Sequence, residues 1–267
     1  MSRTPLPAVS QPVYAIFAEE YRALRPRAPM PALEIKFRRF TSLNTTIRLR
    51  DGQLIVRLSD LLEIIDDASE RLRRPLRMVS EIKHAAYFAS IGMPLDELVA
   101  GLLKPWGSRD RLTVECFEQT VLGQVKKRGV DADFVYLIES TGAAADLVAR
   151  DGSAATSYAE QLTDAGLARL ARDVDGISVD KTLLLTAGPK GAVGTTELVA
   201  QAHAHGLSVF TWTLRPENRF LASGHRVGTG PADWGDWRRE FELILSTGVD
   251  GIFADHPDLA VAARDGF

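Results

Sequence analysis

The stretch RMVSEIKHAAYF, residues 77–88, decides how the rest of the sequence is interpreted. A short apolar run ends in Glu81 and Lys83, and residues i and i+2 of a β-strand point to the same face of the sheet. Two opposite charges therefore project together from the end of a strand. A segment with helical composition follows at once, so this stretch is typical of a strand–helix unit.

Strand-like runs and amphipathic segments alternate along the chain from residue 59 onward. The strand candidates are apolar on both faces, as a parallel sheet covered by helices requires. Ser59 is placed to cap a helix, Pro94 to begin one and Gly129 to end one. The six predicted strands are LRMVSEIK, RLTVECF, DFVYLIES, GISVDKTLLL, LSVFTWTL and DGIFADH.

This alternation predicts an α/β fold of the (β/α)8 TIM-like barrel type, but an incomplete one. The first 58 residues offer only PVYAIF and GQLIVRL as weak strand candidates, because six of the thirteen prolines lie between Pro5 and Pro31. We therefore predict an irregular N-terminal segment, 1–50, followed by a partial barrel, 51–267. The open edges of such a sheet favour self-association.

Composition and charge exclude several classes of protein. With 32 Lys and Arg against 35 Asp and Glu, the net charge of -3 provides no field for a polyanion, so no nucleic-acid partner is predicted. The basic run KFRRFTSLNTTIRLR is interpreted as a solvated face with a threonine-rich turn. A single cysteine, Cys116, and the lack of a long apolar run predict a soluble, cytoplasmic protein with no membrane span.

Glu81 and Lys83 are the first candidates for a functional site, because the active site of a (β/α)8 barrel lies at the carboxyl ends of its strands. A carboxylate there suits Mg²⁺ or Ca²⁺, and an ammonium group suits a phosphate oxygen. A structural ion pair explains the two residues equally well. A further alternative is an aldolase-like barrel in which Lys83 forms a Schiff base.

Several segments resemble the glycerophosphodiester phosphodiesterase family. SEIKHAAYFASIGMPLDE, residues 80–97, is similar to the third strand and following loop of that family, and GVDGIFADHPDLA, residues 248–260, to its last strand. HAHGLSVFTWTLRPENRF, residues 203–220, and RLTVECFE, residues 111–118, lie between them in the correct order. The resemblance covers roughly residues 50–260, which is more specific than a single short motif.

The resemblance implies a role for four residues. Glu81 corresponds to a metal ligand, Lys83 to a phosphate contact, Trp212 to a wall of the substrate pocket and Phe117 to an apolar contact for the glycerol moiety. The family usually has Ser-Phe where this chain has Cys116 and Phe117. The implied reaction is metal-assisted hydrolysis of a small-molecule glycerophosphodiester to glycerol 3-phosphate and an alcohol, a step of glycerol and lipid metabolism.

The family's opening motifs are the main departure. The family begins with a strand ending in His-Arg and a second ending in Glu-x-Asp, followed by another histidine; these supply the acid/base pair and two further metal ligands. All five histidines here lie after Glu81, at His84, His203, His205, His225 and His256. Residues 17–53 instead resemble the insertion that follows the family's second strand.

The sequence therefore predicts a truncated or split phosphodiesterase. With one metal-binding carboxylate left, binding of Mg²⁺ or Ca²⁺ is expected to be weak. The catalytic residues are unknown, and activity of the chain alone is doubtful. The alternative from another functional class is a catalytically degenerate barrel that binds a phosphodiester or a protein partner.

Overall fold

A parallel β-sheet covered by helices organises the molecule. The computed structural model describes residues 43–47, 54–188 and 193–266, with side chains from Leu61 onward. All of these residues belong to one unit, Thr41–Phe267. The sheet has seven strands in the order β1-β2-β3-β4-β5-β8-β9, and every neighbouring pair is parallel.

The strands and helices alternate as the sequence pattern predicts. The strands are β1 Leu43–Ile47, β2 Met78–Ile82, β3 Leu112–Cys116, β4 Asp133–Ile138, β5 Gly176–Asp180, β6 Leu185–Ala187, β7 Val193–Thr195, β8 Ser208–Leu214 and β9 Gly251–Ala254. Strands β6 and β7 form a separate antiparallel hairpin, which follows β5 after a short 3-10 turn, Lys181–Leu184.

The helices lie between the strands. They are α1 Leu54–Leu72, α2 Ala85–Ser90, α3 Leu95–Leu103, α4 Gln119–Lys127, α5 Ala145–Asp151, α6 Tyr158–Gln161, α7 Asp164–Leu170, α8 Leu198–Ala204, α9 Trp237–Ser246 and α10 Pro257–Asp265. Within the described ranges, none of them has the length and apolar composition needed to cross a membrane.

The ends of these helices follow the expected chemistry. Pro94 precedes the first residue of α3, and two carboxylates occupy the first turn of that helix. The side chain of Thr163 accepts a hydrogen bond from the backbone N–H of Gly166 at 3.2 Å, which caps α7. Gly129 follows α4 with φ of 81°, a conformation that favours glycine.

The incomplete α/β barrel is confirmed. All six predicted strands are present, and the part of the sheet that the structure describes ends at β1 on one side and β9 on the other. Self-association through these edges stays a prediction, as does the domain boundary at residue 50. The weak strand candidate PVYAIF lies outside the described residues.

Two predictions for the start of the unit were wrong. Residues 43–47 form strand β1, although the surrounding basic run was interpreted as a turn. Helix α1 begins at Leu54, before the predicted cap at Ser59, so GQLIVRL is mostly helical. Leu54, Leu58 and Leu61 recur at helical spacing and extend the apolar stripe beyond Ser59.

The sheet has two chemically different faces. Alternate residues point toward the helices and are almost fully buried, where they form the core with the helix side chains. Examples are Met78, Ile82, Val114, Phe134, Ile177 and Val209. The residues between them point to the opposite face, which carries Glu81 and Lys83.

A close approach between β5 and β8 provides a test of the strand register. A Cβ atom added at Gly176 would lie 2.1 Å from the Ser208 hydroxyl oxygen and 2.8 Å from the Ser208 carbonyl oxygen. Since backbone must move to relieve the second contact, Gly176→Ala is expected to lower the free energy of unfolding by roughly 1–3 kcal/mol. Urea denaturation measures this change.

Gly123 is the matched control. It lies inside α4, and an added Cβ would meet no atom within 4 Å. Gly123→Ala is therefore expected to stabilise the protein by about 0.5–1 kcal/mol through helix propensity. Equal effects of the two substitutions would contradict the described packing of β5 on β8.

Candidate active site

A cavity of about 300 Å³ opens at the carboxyl ends of the strands, on the face of the sheet that is turned away from the helices. We call it the mouth cavity. Its lining includes all four residues that the sequence singled out, namely Glu81, Lys83, Phe117 and Trp212. It also includes Glu115 from β3 and Asp255, which follows β9. The structure thus brings the predicted residues together, while their individual roles stay predictions.

Glu81 and Lys83 project together, as the i, i+2 spacing predicts. The ammonium group of Lys83 donates a hydrogen bond to the Glu81 carboxylate, and the two form an ion pair. Both side chains are partly accessible, at 28% for Lys83 and 18% for Glu81. The ion pair and an accessible phosphate contact are therefore compatible, because the lysine can exchange its partner without a change of fold.

Glu115 is the site residue that sequence reasoning missed. It lies on β3 directly opposite Glu81 of β2, and its side chain is only 6% exposed. Burial first and the nearby charge of Glu81 second raise the pKa of Glu115 to about 8, although the charge of Lys83 opposes the shift. The signal available in the sequence was a carboxylate inside the apolar run RLTVECF.

Two aromatic side chains form the apolar wall of the mouth cavity. The rings of Phe117 and Trp212 meet edge to face, with centroids 5.6 Å apart. The indole N–H of Trp212 donates a hydrogen bond to the Ser178 carbonyl oxygen at 3.2 Å, which fixes the ring. The cavity therefore combines the Lys83 ammonium group, the three carboxyl groups of Glu81, Glu115 and Asp255, and a fixed aromatic surface.

Asp255 connects the mouth cavity to the loop after β8. Its carboxylate pairs with Arg215 at 2.7 Å, and the guanidinium of Arg215 lies 4.5 Å from the centre of the Phe220 ring. Since Arg215 neutralises Asp255, this carboxylate is already committed to a structural partner.

The histidines do not converge on the cavity. His203 and His205 bind the surface carboxylates Asp250 and Asp164, at 2.9 Å and 2.7 Å. His225 is buried, and its Nδ1 lies 3.1 Å from Glu240.

His84 and His256 occupy the positions just before helices. His84 is exposed, with φ of 57°, and precedes α2. His256 precedes α10 and packs against Trp234, with ring centres 5.5 Å apart. The arrangement at His256 is the turn before a helix that the sequence indicates.

The described residues do not fit a divalent-cation site. Within 61–188 and 193–266, no group of three or more His, Cys, Asp or Glu side chains could hold a metal ion. In the mouth cavity, Glu81 is paired with Lys83, and Glu115 retains its proton at neutral pH because its pKa is about 8. Hard cations need several ionised oxygen donors. Metal binding by Glu81 therefore stays a prediction.

Two other nucleophiles are unsuited to catalysis. Cys116 is buried, its thiol donates to the Ile82 carbonyl oxygen, and burial raises the pKa of the thiol well above its ordinary value. The Lys83 side chain is engaged in the ion pair with Glu81 and is not presented as a free amine. Neither a thiolate mechanism nor a Schiff base is favoured by this geometry.

Comparison with solved structures finds phosphodiesterases at low similarity. A Silicibacter pomeroyi protein described as a glycerophosphoryl diester phosphodiesterase is 19% identical with a TM-score of 0.49, covering 77% of this chain and 56% of that chain. An Oleispira antarctica phosphodiesterase, solved with the product sn-glycerol-3-phosphate, is 17% identical with a TM-score of 0.44, covering 77% and 60%. This chain thus spans less than two thirds of the length of either protein.

The family comparison is more extensive. The model of the glycerophosphoryl diester phosphodiesterase family matches residues 16–259, which is most of the chain. That range includes every strand of the sheet and all the lining residues of the mouth cavity. The chain therefore belongs to the glycerophosphoryl diester phosphodiesterase family.

Proposed function

We propose that this chain takes part in the hydrolysis of a glycerophosphodiester, whose glycerophosphoryl group binds in the mouth cavity. The observation that carries the proposal is the presence, in one cavity, of the Lys83 ammonium group and the paired rings of Phe117 and Trp212. An ammonium group suits a phosphate oxygen, and an aromatic face suits the C–H surface of glycerol. The products are glycerol 3-phosphate and an alcohol.

Lys83 is the proposed phosphate contact. Its ammonium group has three donors, of which one bonds Glu81, so the others can donate to a phosphate oxygen. Glu81, two residues earlier on the same face of the strand, then holds the lysine side chain in position through this hydrogen bond. Glu115, which is protonated at neutral pH, adds no second negative charge against the phosphate.

Phe117 and Trp212 are proposed to orient the glycerol moiety. Their edge-to-face contact and the hydrogen bond from the indole to Ser178 hold the wall in one geometry. A fixed wall positions the phosphorus atom relative to an attacking water, which reduces the entropy lost on reaching the transition state. In the reaction, a water oxygen bonds to phosphorus and gives up a proton, the bond from phosphorus to the alcohol oxygen breaks, and the alcohol oxygen takes a proton, so that no net proton is gained or lost in the transfer.

The contribution of the described residues is binding and orientation. They form no divalent-cation site, and no histidine pair among them faces the mouth cavity. We therefore assign the proton transfers to no side chain of the described part. Full activity, as in the longer phosphodiesterases, is proposed to need groups beyond those that line this cavity.

Substitution of Lys83 tests the proposal. Lys83→Met keeps the stem of the side chain and removes the charge, so affinity for glycerophosphocholine is expected to fall about 10- to 100-fold, in line with roughly 1.5–3 kcal/mol for a hydrogen bond to a charged group. Isothermal titration calorimetry measures the change. Lys127→Met, an exposed lysine on α4, is the control and should bind as wild type does.

An assay of product formation distinguishes hydrolysis from the alternative functions. Release of glycerol 3-phosphate by the wild-type chain supports hydrolysis, whereas tight binding without product supports a phosphodiester-binding barrel. Unchanged affinity after Lys83→Met would place the binding site outside the mouth cavity. A stable adduct after treatment with pyruvate and borohydride would replace the proposal with Schiff-base chemistry at a lysine.

A further inference from the structure

A second cavity, of about 460 Å³, lies between the β6–β7 hairpin and the loop that follows β8. We call it the loop pocket. The hairpin contributes Leu185, Thr186, Ala187 and Val193, and the loop contributes residues 219–223 and Arg226. None of its lining residues lines the mouth cavity. Its volume lies within the range of roughly 300–1,000 Å³ that is usual for small-molecule sites.

The charged side chains that line the loop pocket are positive. Among the described residues that line it there are three cations, Lys181, Arg219 and Arg226, and no aspartate or glutamate. Lys181 is neutralised, because its ammonium group pairs with the buried carboxylate of Glu240 at 2.5 Å. The two arginines therefore decide the net charge that a ligand would meet.

Arg219 and Arg226 retain their capacity to bind an anion. No ion pair in the described part of the chain involves either guanidinium, in contrast to Arg215 and Arg238 nearby. Arg226 uses only its Nε, which donates to the Leu221 carbonyl oxygen at 2.9 Å. The guanidinium of Arg219 stacks 4.7 Å from the centre of the Phe220 ring. Each terminal fork remains available for the paired oxygens of a phosphate or carboxylate.

The loop that carries the arginines is held in place from beneath. The carboxylate of Glu240 on α9 accepts hydrogen bonds from the backbone N–H of Ala222 at 2.7 Å and from Lys181, and it contacts His225. Glu240 itself is fully buried. The wall of the loop pocket is therefore tied to a helix of the core, which lowers the entropy lost when a ligand binds.

We propose that the loop pocket binds a small phosphate monoester. Two unpaired guanidinium groups match the charge of about -1.5 to -2 that a phosphate monoester carries at neutral pH. Phe220 and Leu185 provide an apolar surface for the organic part, and the Ser223 hydroxyl provides a further polar contact. A monocarboxylate also offers two oxygens to a guanidinium group, but it has one terminal oxygen fewer than a phosphate monoester and a smaller charge.

Calorimetric titration with phenyl phosphate at low ionic strength tests this site. The loop pocket of the wild type is expected to bind one molecule, and Arg219→Gln and Arg226→Gln should each weaken this binding at least about tenfold, as the loss of a charge-assisted bidentate contact implies. Arg264→Gln is the matched control, since Arg264 lies exposed on α10 and pairs only with its neighbour Asp265 among the described residues. Benzoate should bind at least tenfold more weakly than phenyl phosphate.

Two further variants keep the test decisive. Ala187→Phe places a large side chain in the loop pocket and leaves both arginines unchanged, so it should abolish binding even if an arginine substitution loosens the loop. Lys83→Met removes the phosphate contact proposed for the mouth cavity, so phenyl phosphate that still binds to this variant binds in the loop pocket. The proposal would be overturned if phenyl phosphate still bound after Ala187→Phe and after both arginine substitutions. It would also be overturned if Lys83→Met abolished the binding, or if benzoate bound as tightly as phenyl phosphate.

This test is independent of the proposed hydrolysis. Loss of glycerophosphocholine binding in Lys83→Met concerns the mouth cavity, whereas loss of phenyl phosphate binding in Ala187→Phe concerns the loop pocket. Either result can be obtained without the other.

Discussion

Glu240→Leu is expected to lower the free energy of unfolding by about 3–5 kcal/mol, the usual effect of removing one member of a buried ion pair. The substitution leaves the Lys181 ammonium group, only 8% exposed, without its carboxylate partner. It also removes the acceptor for the Ala222 N–H and the partner of His225. The midpoint of urea denaturation, with unchanged slope, measures the loss.

A double substitution identifies the cause. Lys181→Met together with Glu240→Leu replaces both charges by apolar groups of similar size, so it should be less destabilising than Glu240→Leu alone. Arg238→Ala, on the same helix, removes an exposed pair with Glu242 and should change stability by no more than about 0.5 kcal/mol. If the double variant is as unstable as the sum of the single ones, the buried charge is not the cause.

This buried network illustrates what the sequence could not predict. Lys181 and Glu240 are 59 residues apart, and each looks like an ordinary polar residue beside an apolar segment. Only the packing of α9 beneath the loop brings them together. His225 could not be placed from the sequence either, because it lies in a glycine-rich loop, and such a loop does not reveal which way its side chains turn.

The strands were predictable where burial on both faces makes a sequence uniformly apolar. DFVYLI and GISVD show this pattern, since helices cover one face and the barrel interior the other. LNTTI does not show it, because its polar threonines lie between basic residues, and β1 was therefore missed. The start of α1 was missed because Ser59 is a good cap, although the apolar stripe begins before it.

The candidate site was partly predictable for a geometric reason. Alternation along one strand is enough to place Glu81 beside Lys83, and the family resemblance supplied Phe117 and Trp212. Pairing between strands is not visible in a single sequence, since a shift of one residue would turn Glu115 to the other face. The observed register places Glu115 opposite Glu81, and this juxtaposition decides the electrostatics of the mouth cavity.

The stability of the protein is therefore expected to fall as pH rises from about 5 to 9. The pKa of Glu115 is raised to about 8 in the folded state, because of burial first and of Glu81 second. The folded protein thus holds this proton more tightly than the unfolded chain does. The stabilising contribution is complete below the ordinary glutamate pKa and is lost as pH rises to about 8, with a total on the order of 5 kcal/mol.

Glu115→Gln isolates this contribution. Glutamine keeps the size of the side chain and cannot ionise, so the variant should be more stable than wild type at pH 9 and should show a much flatter decline between pH 5 and 9. Glu160→Gln is the control of opposite sign. Hydrogen bonds from Ser157 lower the pKa of the exposed Glu160, so its stabilising contribution is lost only as pH falls into the acid range.

Urea denaturation at closely spaced pH values measures both curves. Glu81 and Lys83 are the charged groups of β2 that act on Glu115, while its partner on β4 is the uncharged Val135. Glu81→Gln removes one of the two causes that raise the pKa of Glu115. The midpoint of the decline should therefore lie at a lower pH in this variant than in the wild type. A wild-type decline that Glu115→Gln leaves unchanged would show that Glu115 is ionised in the folded protein, and the mouth cavity would then hold two negative charges beside Lys83.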